Sequence, residues 1–321
     1  MHDGDVVSPR IERVKERKKE AIRRVCISMV KQIRKAVVTA AGLGTRLLTV
    51  TKEQPKEMLP LFTKNKDGNL CVKPLLQMIF EQLHDCGFRE FCFIIGRGKK
   101  VVADHFTIDR DFVRQLNDKG KSGLASSLEE FYRKIENSTI VWINQPEPKG
   151  FGHAVLMAKP FIGTEPFLVH AGDTYIVSNN DNPIGRLIEV HVKKKAEATL
   201  LLKEVENPKH YGVAEAQEKT GRVFNIKKVI EKPEKPPTNL AVMPIYIFNP
   251  TIMAVLEKTP PGLGGEIQLT DGIQALIEKR LKVQAIKLKD DEIRLDVGNP
   301  QTYWEAIMRA RAWSLRAKLD L

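Results

Sequence analysis

The sequence is poor in the residues that mark secreted and membrane proteins. Its four cysteines, Cys26, Cys71, Cys86 and Cys92, form no C-x-x-C pair and no metal-ligand spacing, so neither a disulfide framework nor a cysteine-based metal site is indicated. No stretch approaches the ~20 apolar residues that cross a bilayer. The N-terminus lacks the continuous apolar core of a signal peptide. We therefore expect no membrane partner and a cytoplasmic location.

Positive charge exceeds negative charge, with 52 Lys and Arg against 40 Asp and Glu and a net charge of +12. Residues 1–34 form a basic N-terminal extension. Within it, residues 1–28 hold eight basic and five acidic residues and supply +3. The rest of the excess is spread along the chain without an aromatic-basic stripe, so a nucleic-acid partner is not expected.

From residue 35 onward, β-branched or apolar runs alternate with amphipathic stretches, which predicts a single α/β domain over 35–321. The fold class is Rossmann-like, with a mostly parallel or mixed sheet flanked by helices and a smaller antiparallel substrate-side lobe at about 205–250. A C-terminal helix is expected at about 302–321, and residues 74–86 predict a helix that ends at Gly87. The predicted strands are 36–40, 91–95, 139–143, 166–170 and 197–203.

The first strand runs directly into the segment Ala41-Gly42-Leu43-Gly44-Thr45-Arg46. Glycines after a strand let the backbone approach a nucleotide and direct N–H groups at phosphate oxygens. Position 47 is Leu, so the third glycine of the dinucleotide fingerprint is missing, and the Gly-Lys-Ser/Thr of NTPase loops is missing too. Both of those classes are disfavoured.

About ten residues after GxGTR follows PKExLP, at residues 55–60, and this pairing resembles the signature of sugar-1-phosphate nucleotidyltransferases. The resemblance covers most of the chain from residue 35 and is closest to bacterial-type UTP–glucose-1-phosphate uridylyltransferases. It implies nucleoside triphosphate and sugar 1-phosphate as substrates, Mg²⁺ as cofactor, and a homo-oligomer. The shared stretches are AAGLGTR, TKEQPKEMLPLF, QPEPKGFGHAV, HAGDTYI, YGVAE, VIEKPE, NLAV and GGEIQLTDGI.

In the triphosphate site, the resemblance implies backbone contacts from Ala41, Gly42, Gly44 and Thr45. Arg46 can hold the β- and γ-phosphates by charge-assisted, potentially bidentate hydrogen bonds. Lys56 adds a second positive charge beside the pyrophosphate that leaves. Arg46, Lys56 and Lys232 are the predicted catalytic residues.

Base recognition is assigned to the segment that contains Gln145, since an amide offers the donor and acceptor that a pyrimidine imide edge requires. By resemblance, Gly150 makes a close backbone contact to the same base. His153 gives the Gly-His-Ala form typical of uridylyltransferases, where many thymidylyltransferases have Ala-Gln. Such a histidine also serves often as a structural hydrogen-bonding residue, and we assign it no proton transfer.

Asp173 follows a predicted strand, at the edge where open α/β sheets bind ligands. It is the main Mg²⁺ ligand candidate, because Mg²⁺ is commonly held by one or two carboxylates together with phosphate oxygens and water. The resemblance suggests Asp296 as the second carboxylate, with an ordinary turn aspartate as the alternative.

For the sugar phosphate, the resemblance implies that Lys232 holds the phosphate and Glu231 accepts hydrogen bonds from hydroxyls. Gly212 would lie beside the pyranose, and Glu266 is placed near the sugar. Glu266 belongs to a stretch that also fits a helix capping box.

Two positions depart from the pattern of related enzymes: Thr49 replaces a usual Pro, and Met243-Pro244 replaces a usual Gly-Arg. The second departure leaves the sugar open, with galactose 1-phosphate or an N-acetylhexosamine phosphate as alternatives to glucose 1-phosphate. A thymidylyltransferase or dual UTP/dTTP enzyme is the alternative activity. A non-catalytic sugar-nucleotide-binding protein is a third, although Arg46, Lys56, Asp173 and Lys232 are all present.

Overall fold

The computed structural model describes residues 33–179 and 182–315. The predicted N-terminal extension up to residue 32 and the final six residues of the predicted C-terminal helix lie outside the described residues. The strands are β1 (Lys35–Ala40), β2 (Pro60–Lys64), β3 (Leu70–Pro74), β4 (Glu90–Ile95), β5 (Thr139–Asn144), β6 (Phe167–Ala171), β7 (Thr174–Val177), β8 (Ala198–Glu204), β9 (Gly212–Thr220), β10 (Val223–Glu231), β11 (Leu240–Phe248), β12 (Val283–Lys287) and β13 (Ile293–Asp296).

The α-helices of the described residues flank these strands and connect most of them. They are α1 (Leu48–Thr51), α2 (Leu75–Asp85), α3 (Lys100–His105), α4 (Arg110–Asp118), α5 (Ser122–Glu136), α6 (Phe151–Leu156), α7 (Lys159–Ile162), α8 (Pro183–Lys194), α9 (Thr251–Leu256), α10 (Leu269–Glu278) and α11 (Pro300–Leu315). The predicted helix at 74–86 is confirmed as α2, and Gly87 follows it with a φ of 106°.

Nine strands form one sheet in the order β5-β4-β1-β6-β11-β8-β12-β10-β9. The first four are parallel to one another. Strands β1, β4 and β6 are runs of apolar, mostly β-branched or aromatic residues that are almost wholly buried, as expected where helices cover both faces of a parallel sheet. The loops that follow these four strands meet at one edge of the sheet.

The sheet changes direction at β11, which pairs antiparallel with both β6 and β8. The antiparallel strands expected at about 205–250 are β9, β10 and β11, and they extend the same sheet. β11 has an irregularity between Met243 and Tyr246, and Pro244 lies within it, as is typical of a residue that cannot donate to the ladder. The fold class and the five predicted strands are confirmed, whereas β2, β3, β7, β12 and β13 were not anticipated.

Two apolar layers hold the helices against the sheet. In one of them, Phe80 of α2 contacts Phe91 and Phe106, and Phe93 stacks on Trp142. The other packs α6, α9 and α10 against the opposite face. Within the described residues, no helix combines the length and the apolar character needed to cross a bilayer. This packed frame fixes the strand ends from which the site is built.

Candidate active site

A cavity of about 370 Å³ lies at the carboxyl ends of the parallel strands. Its walls come from the loops after β1, β5 and β6 and from segments near residues 56, 266 and 298. Ten of the residues predicted from the sequence line it: Ala41, Gly42, Gly44, Thr45, Arg46, Lys56, Gln145, Gly150, Asp173 and Glu266. Side chains distant in sequence therefore meet at the edge where open α/β sheets bind ligands.

The loop after β1 is held in a tight turn. Gly44 has a φ of 67°, and Leu47 N–H donates to the Gly44 carbonyl at 2.9 Å. Thr51 Oγ1 donates to the same carbonyl at 2.8 Å, and a Cβ on Gly44 would lie 3.0 Å from Thr51 Cβ. Glycine is thus required both by the left-handed backbone and by the close approach of Thr51.

Lys56 and Asp173 form an ion pair on the cavity wall, with Nζ 2.5 Å from Oδ2 and little of either side chain exposed. Burial opposes both charges, but their mutual attraction outweighs it. The pKa of Lys56 is therefore raised, with Glu57 also contributing, and the pKa of Asp173 is lowered. Both groups are charged at neutral pH, so the site presents a fixed ammonium and a fixed carboxylate side by side.

A second ion pair behind Lys56 was not predicted. Glu57 lines the cavity with its side chain 2% exposed, and Lys99 Nζ lies 2.9 Å from its Oε2. Lys99 also donates to the carbonyl of Ala40 at the end of β1. The pair joins the PKE segment, the β1 strand end and the loop after β4, which positions the glycine loop against Lys56.

The segment predicted to recognise the base is anchored to the segment before α10. Gly152 N–H donates to the Ile267 carbonyl at 2.8 Å, and Ile267 N–H donates to the Lys149 carbonyl at 2.9 Å. Gly150 has a φ of 101°, and a Cβ there would lie 2.7 Å from Glu266 Cβ. Gln145 is buried, and its Nε2 lies 2.8 Å from Nδ1 of His153.

Of the residues predicted for the sugar phosphate, Glu266 lines the cavity, whereas Gly212, Glu231 and Lys232 form a neighbouring group that does not. Thr270 Oγ1 donates to Glu231 Oε2 at 2.7 Å. A Cβ on Gly212 would lie 3.2 Å from both of those oxygens, so glycine keeps this surface open. Lys232 follows with a φ of 40° and places Nζ 3.3 Å from Glu231 Oε1. Thr270 is an addition that the sequence did not single out.

The two predicted metal carboxylates lie near each other, since Val297 N–H donates to the Asp173 carbonyl at 3.1 Å. Asp296 Oδ1 accepts from Gly298 N–H and Thr302 Oγ1, and its Oδ2 pairs with Arg294. No group of three His, Cys, Asp or Glu side chains that could hold a metal occurs in the part of the chain that the structure describes. Two carboxylates fit an ion that takes its other ligands from phosphates and water.

Comparisons with known proteins agree with these features. A model of the nucleotidyl transferase family matches residues 35–312. UTP–glucose-1-phosphate uridylyltransferase of Bacillus subtilis is 38% identical over 274 residues, which cover 84% of this chain and 88% of that protein.

Solved structures are similar as well. A UDP-glucose pyrophosphorylase complexed with UDP-glucose is 32% identical, with a TM-score of 0.74 and coverage of 88% of this chain and 99% of that chain. The UTP-bound UGPase of Acinetobacter baumannii is 27% identical, with a TM-score of 0.76 and coverage of 88% and 94%. The motifs, the fold and these matches agree, and the chain belongs to the nucleotidyl transferase family.

Proposed function

We propose that this protein transfers a uridylyl group from UTP to glucose 1-phosphate, giving UDP-glucose and pyrophosphate. The observation that carries the proposal is the convergence on one cavity of ten predicted residues from five separate segments of the chain. The relatives named above include a uridylyltransferase at 38% identity and a UTP-bound structure, which supports UTP as the nucleotide and glucose 1-phosphate as the acceptor.

The chemistry needs no general base, because the sugar phosphate is already an anionic nucleophile that can attack the α-phosphorus in line. Catalysis then depends on positioning and on neutralising charge. The cavity suits this task, since Arg46 and Lys56 line it and no His or Cys is among the described residues that do so. Arg46 and Lys56 are the residues proposed to stabilise the departing pyrophosphate.

Asp173 and Asp296 are the residues that would hold Mg²⁺. The ion would neutralise phosphate charge when bound. Asp173 faces the cavity, whereas Asp296 is oriented by Arg294, Thr302 and Gly298. Lys56 holds Asp173 in its charged form, which is the form that a cation requires.

Lys232 and Glu231 are proposed to bind the acceptor. Thr270 holds one carboxylate oxygen of Glu231, and Lys232 Nζ lies 3.3 Å from the other. Glu231 can therefore accept hydrogen bonds from sugar hydroxyls in a fixed orientation. Lys232, whose side chain is 45% exposed, can reach the acceptor phosphate and offset its repulsion from the triphosphate.

The test is pyrophosphate release by the purified protein with Mg²⁺. UTP, dTTP, ATP and GTP are each combined with glucose, galactose and N-acetylglucosamine 1-phosphates. Turnover confined to UTP with glucose 1-phosphate supports the proposal. A different preferred sugar would correct the acceptor and direct attention to residues 239–244, and equal use of dTTP would make the enzyme a dual one. No turnover with any pair would refute it.

A further inference from the structure

We propose that His153 is a positioning residue: it fixes the orientation of the Gln145 amide and so makes the site select uracil over cytosine. The inference rests on the proposed use of UTP and adds a determinant of base choice to it. The observation that carries it is the placement of one amide nitrogen between two neighbours, an imidazole nitrogen and a backbone carbonyl.

The orientation of the Gln145 amide follows from its surroundings. Its Nε2 lies 2.8 Å from Nδ1 of His153 and 3.4 Å from the carbonyl oxygen of Gly150. A carbonyl oxygen can only accept, so the amide presents its NH₂ group on this side. His153 Nδ1 must then accept the other N–H, which places the proton of the neutral imidazole on Nε2.

The charge state of His153 agrees with an acceptor role. Burial and the nearby Lys149 lower the pKa of the imidazole, and Glu147 opposes them with a smaller effect. The ring is therefore neutral at neutral pH and keeps a lone pair on Nδ1 for Gln145.

The opposite amide orientation is unfavourable. Turning Gln145 over would point Oε1 at the Gly150 carbonyl, which cannot donate, and His153 would keep its contact only if the imidazole proton moved from Nε2 to Nδ1. Two oxygen acceptors would then face each other in a site where Gln145 is only 5% exposed. Buried polar groups left without partners cost about 1–3 kcal/mol each, so the Gly150 carbonyl disfavours the turned-over amide, and His153, at the shorter distance, anchors the amide in the other orientation.

The selected orientation leaves Oε1 as an acceptor toward the cavity that Gln145 lines. Among the described residues, no side chain or backbone group donates a hydrogen bond to Oε1 of Gln145. The N–H of Gly150 likewise has no acceptor among the described residues. Uracil offers an N3–H donor beside two carbonyl acceptors, which matches this acceptor and this donor. Cytosine has an acceptor at N3 and an amine at C4, so both of its groups oppose those of the site.

The position of His153 is set by the backbone. Gly152 is held against Ile267, where a Cβ would lie 2.7 Å from the carbonyl oxygen, so the first turn of α6 cannot shift. His153 follows in that turn and faces Gln145. The imidazole is thus an anchored partner for the amide.

The test compares the wild type with H153N and H153L. The Oδ1 of Asn can take the place of Nδ1 and accept from Gln145, whereas Leu fills similar space without an acceptor. For each protein, kcat/KM is measured with UTP and with CTP at saturating glucose 1-phosphate, and thermal melts establish that the variants are folded. H153M replaces H153L if the latter melts below the assay temperature.

We expect H153L to lower the UTP/CTP preference about tenfold or more, the equivalent of one hydrogen bond to the base. H153N should keep most of the preference. In a Q145A background H153L should have no further effect, since the residue acts through Gln145. The inference is overturned if H153L keeps the wild-type ratio, or if H153N loses as much as H153L. A wild type inactive with UTP would instead refute the proposed function.

Discussion

Lys99 Nζ lies 2.9 Å from Oε2 of Glu57, and both side chains are almost excluded from solvent behind the cavity. Burial raises the pKa of the Glu57 carboxyl, Lys99 and Lys56 partly offset this, and burial likewise lowers the pKa of Lys99. Glu57 lines the cavity, and together with Lys99 it joins three segments that form the cavity wall. The pair is therefore a structural support of the site.

The first prediction concerns this pair. K99M should lower the free energy of unfolding by about 3–5 kcal/mol, because it leaves Glu57 buried without its partner. The double variant K99M/E57Q should recover part of the loss. Urea unfolding measures the free energy of unfolding of K99M and of the double variant. K100M is the control, because Lys100 is exposed and its substitution should change the free energy of unfolding by at most about 0.5 kcal/mol. Equal losses in K99M and K100M would contradict the prediction.

The second prediction concerns Lys56. K56A should lower kcat by about 10²–10³, because it removes a preorganised charge from the departing pyrophosphate. The matched control is K64A, at an exposed residue at the end of β2, which should keep wild-type turnover. Steady-state rates with UTP and glucose 1-phosphate decide the matter. A K56A enzyme with normal kcat would remove Lys56 from the catalytic residues.

The third prediction compares two glycines of positive φ. At Gly150 a Cβ would lie 2.7 Å from Glu266 Cβ, whereas at Gly221, in the turn between β9 and β10, it would meet nothing within 4 Å. G221A should cost about 1 kcal/mol from backbone strain alone. G150A should cost about 1–3 kcal/mol more from overpacking, and it should raise the KM for UTP because Glu266 lines the cavity. Denaturation curves give the free energy of unfolding, and steady-state rates give the KM for UTP. Similar changes of both quantities in G150A and G221A would contradict this prediction.

The fourth prediction concerns pH. Burial lowers the pKa of His170 on β6 to about 4, although the Ala171 carbonyl and Asp173 raise it. In the unfolded chain the imidazole therefore binds a proton near pH 6.5, whereas in the folded chain it does so only near pH 4. The free energy of unfolding falls as the pH falls through that window. Between pH 7 and 4.5 His170 should contribute a loss of roughly 2–3 kcal/mol.

The measurement for this residue is urea unfolding of the wild type and H170L at pH 7 and at pH 4.5. The variant should lose less stability over the interval than the wild type, whatever its stability at pH 7. An identical loss in the two proteins would show that His170 does not titrate as proposed.

The sequence predicted the elements with strong periodicity. The run Phe91-Cys92-Phe93-Ile94-Ile95 and its counterparts are long apolar segments between breakers, and they are strands in the structure. The β2–β3 hairpin was missed because Pro60–Lys64 is only five residues long and begins at a proline, although Asp67-Gly68 offered a turn signal. β12 and β13 were missed for a similar reason, since they are short segments flanked by charged residues.

For the site, motifs predicted the residues of the cavity wall but not their supports. Lys99 pairs with Glu57 across 42 positions of sequence, and Thr270 reaches Glu231 across 39. Neither contact leaves a local pattern, because each depends on how β-strand ends are brought together by the sheet. The same holds for Gln145 and His153, whose relationship depends on the backbone turn at Gly150.

The reversal of strand direction between β6 and β11 has a consequence for how such enzymes diversify. The groups proposed to read the base come from the parallel half of the sheet, and those proposed to bind the acceptor come mainly from the antiparallel half. Strand β11 lies between the two halves of the sheet, so substitutions can change one half while the other stays unchanged. The departure at Met243-Pro244 lies on β11 itself, between the half proposed to read the base and the half proposed to bind the acceptor.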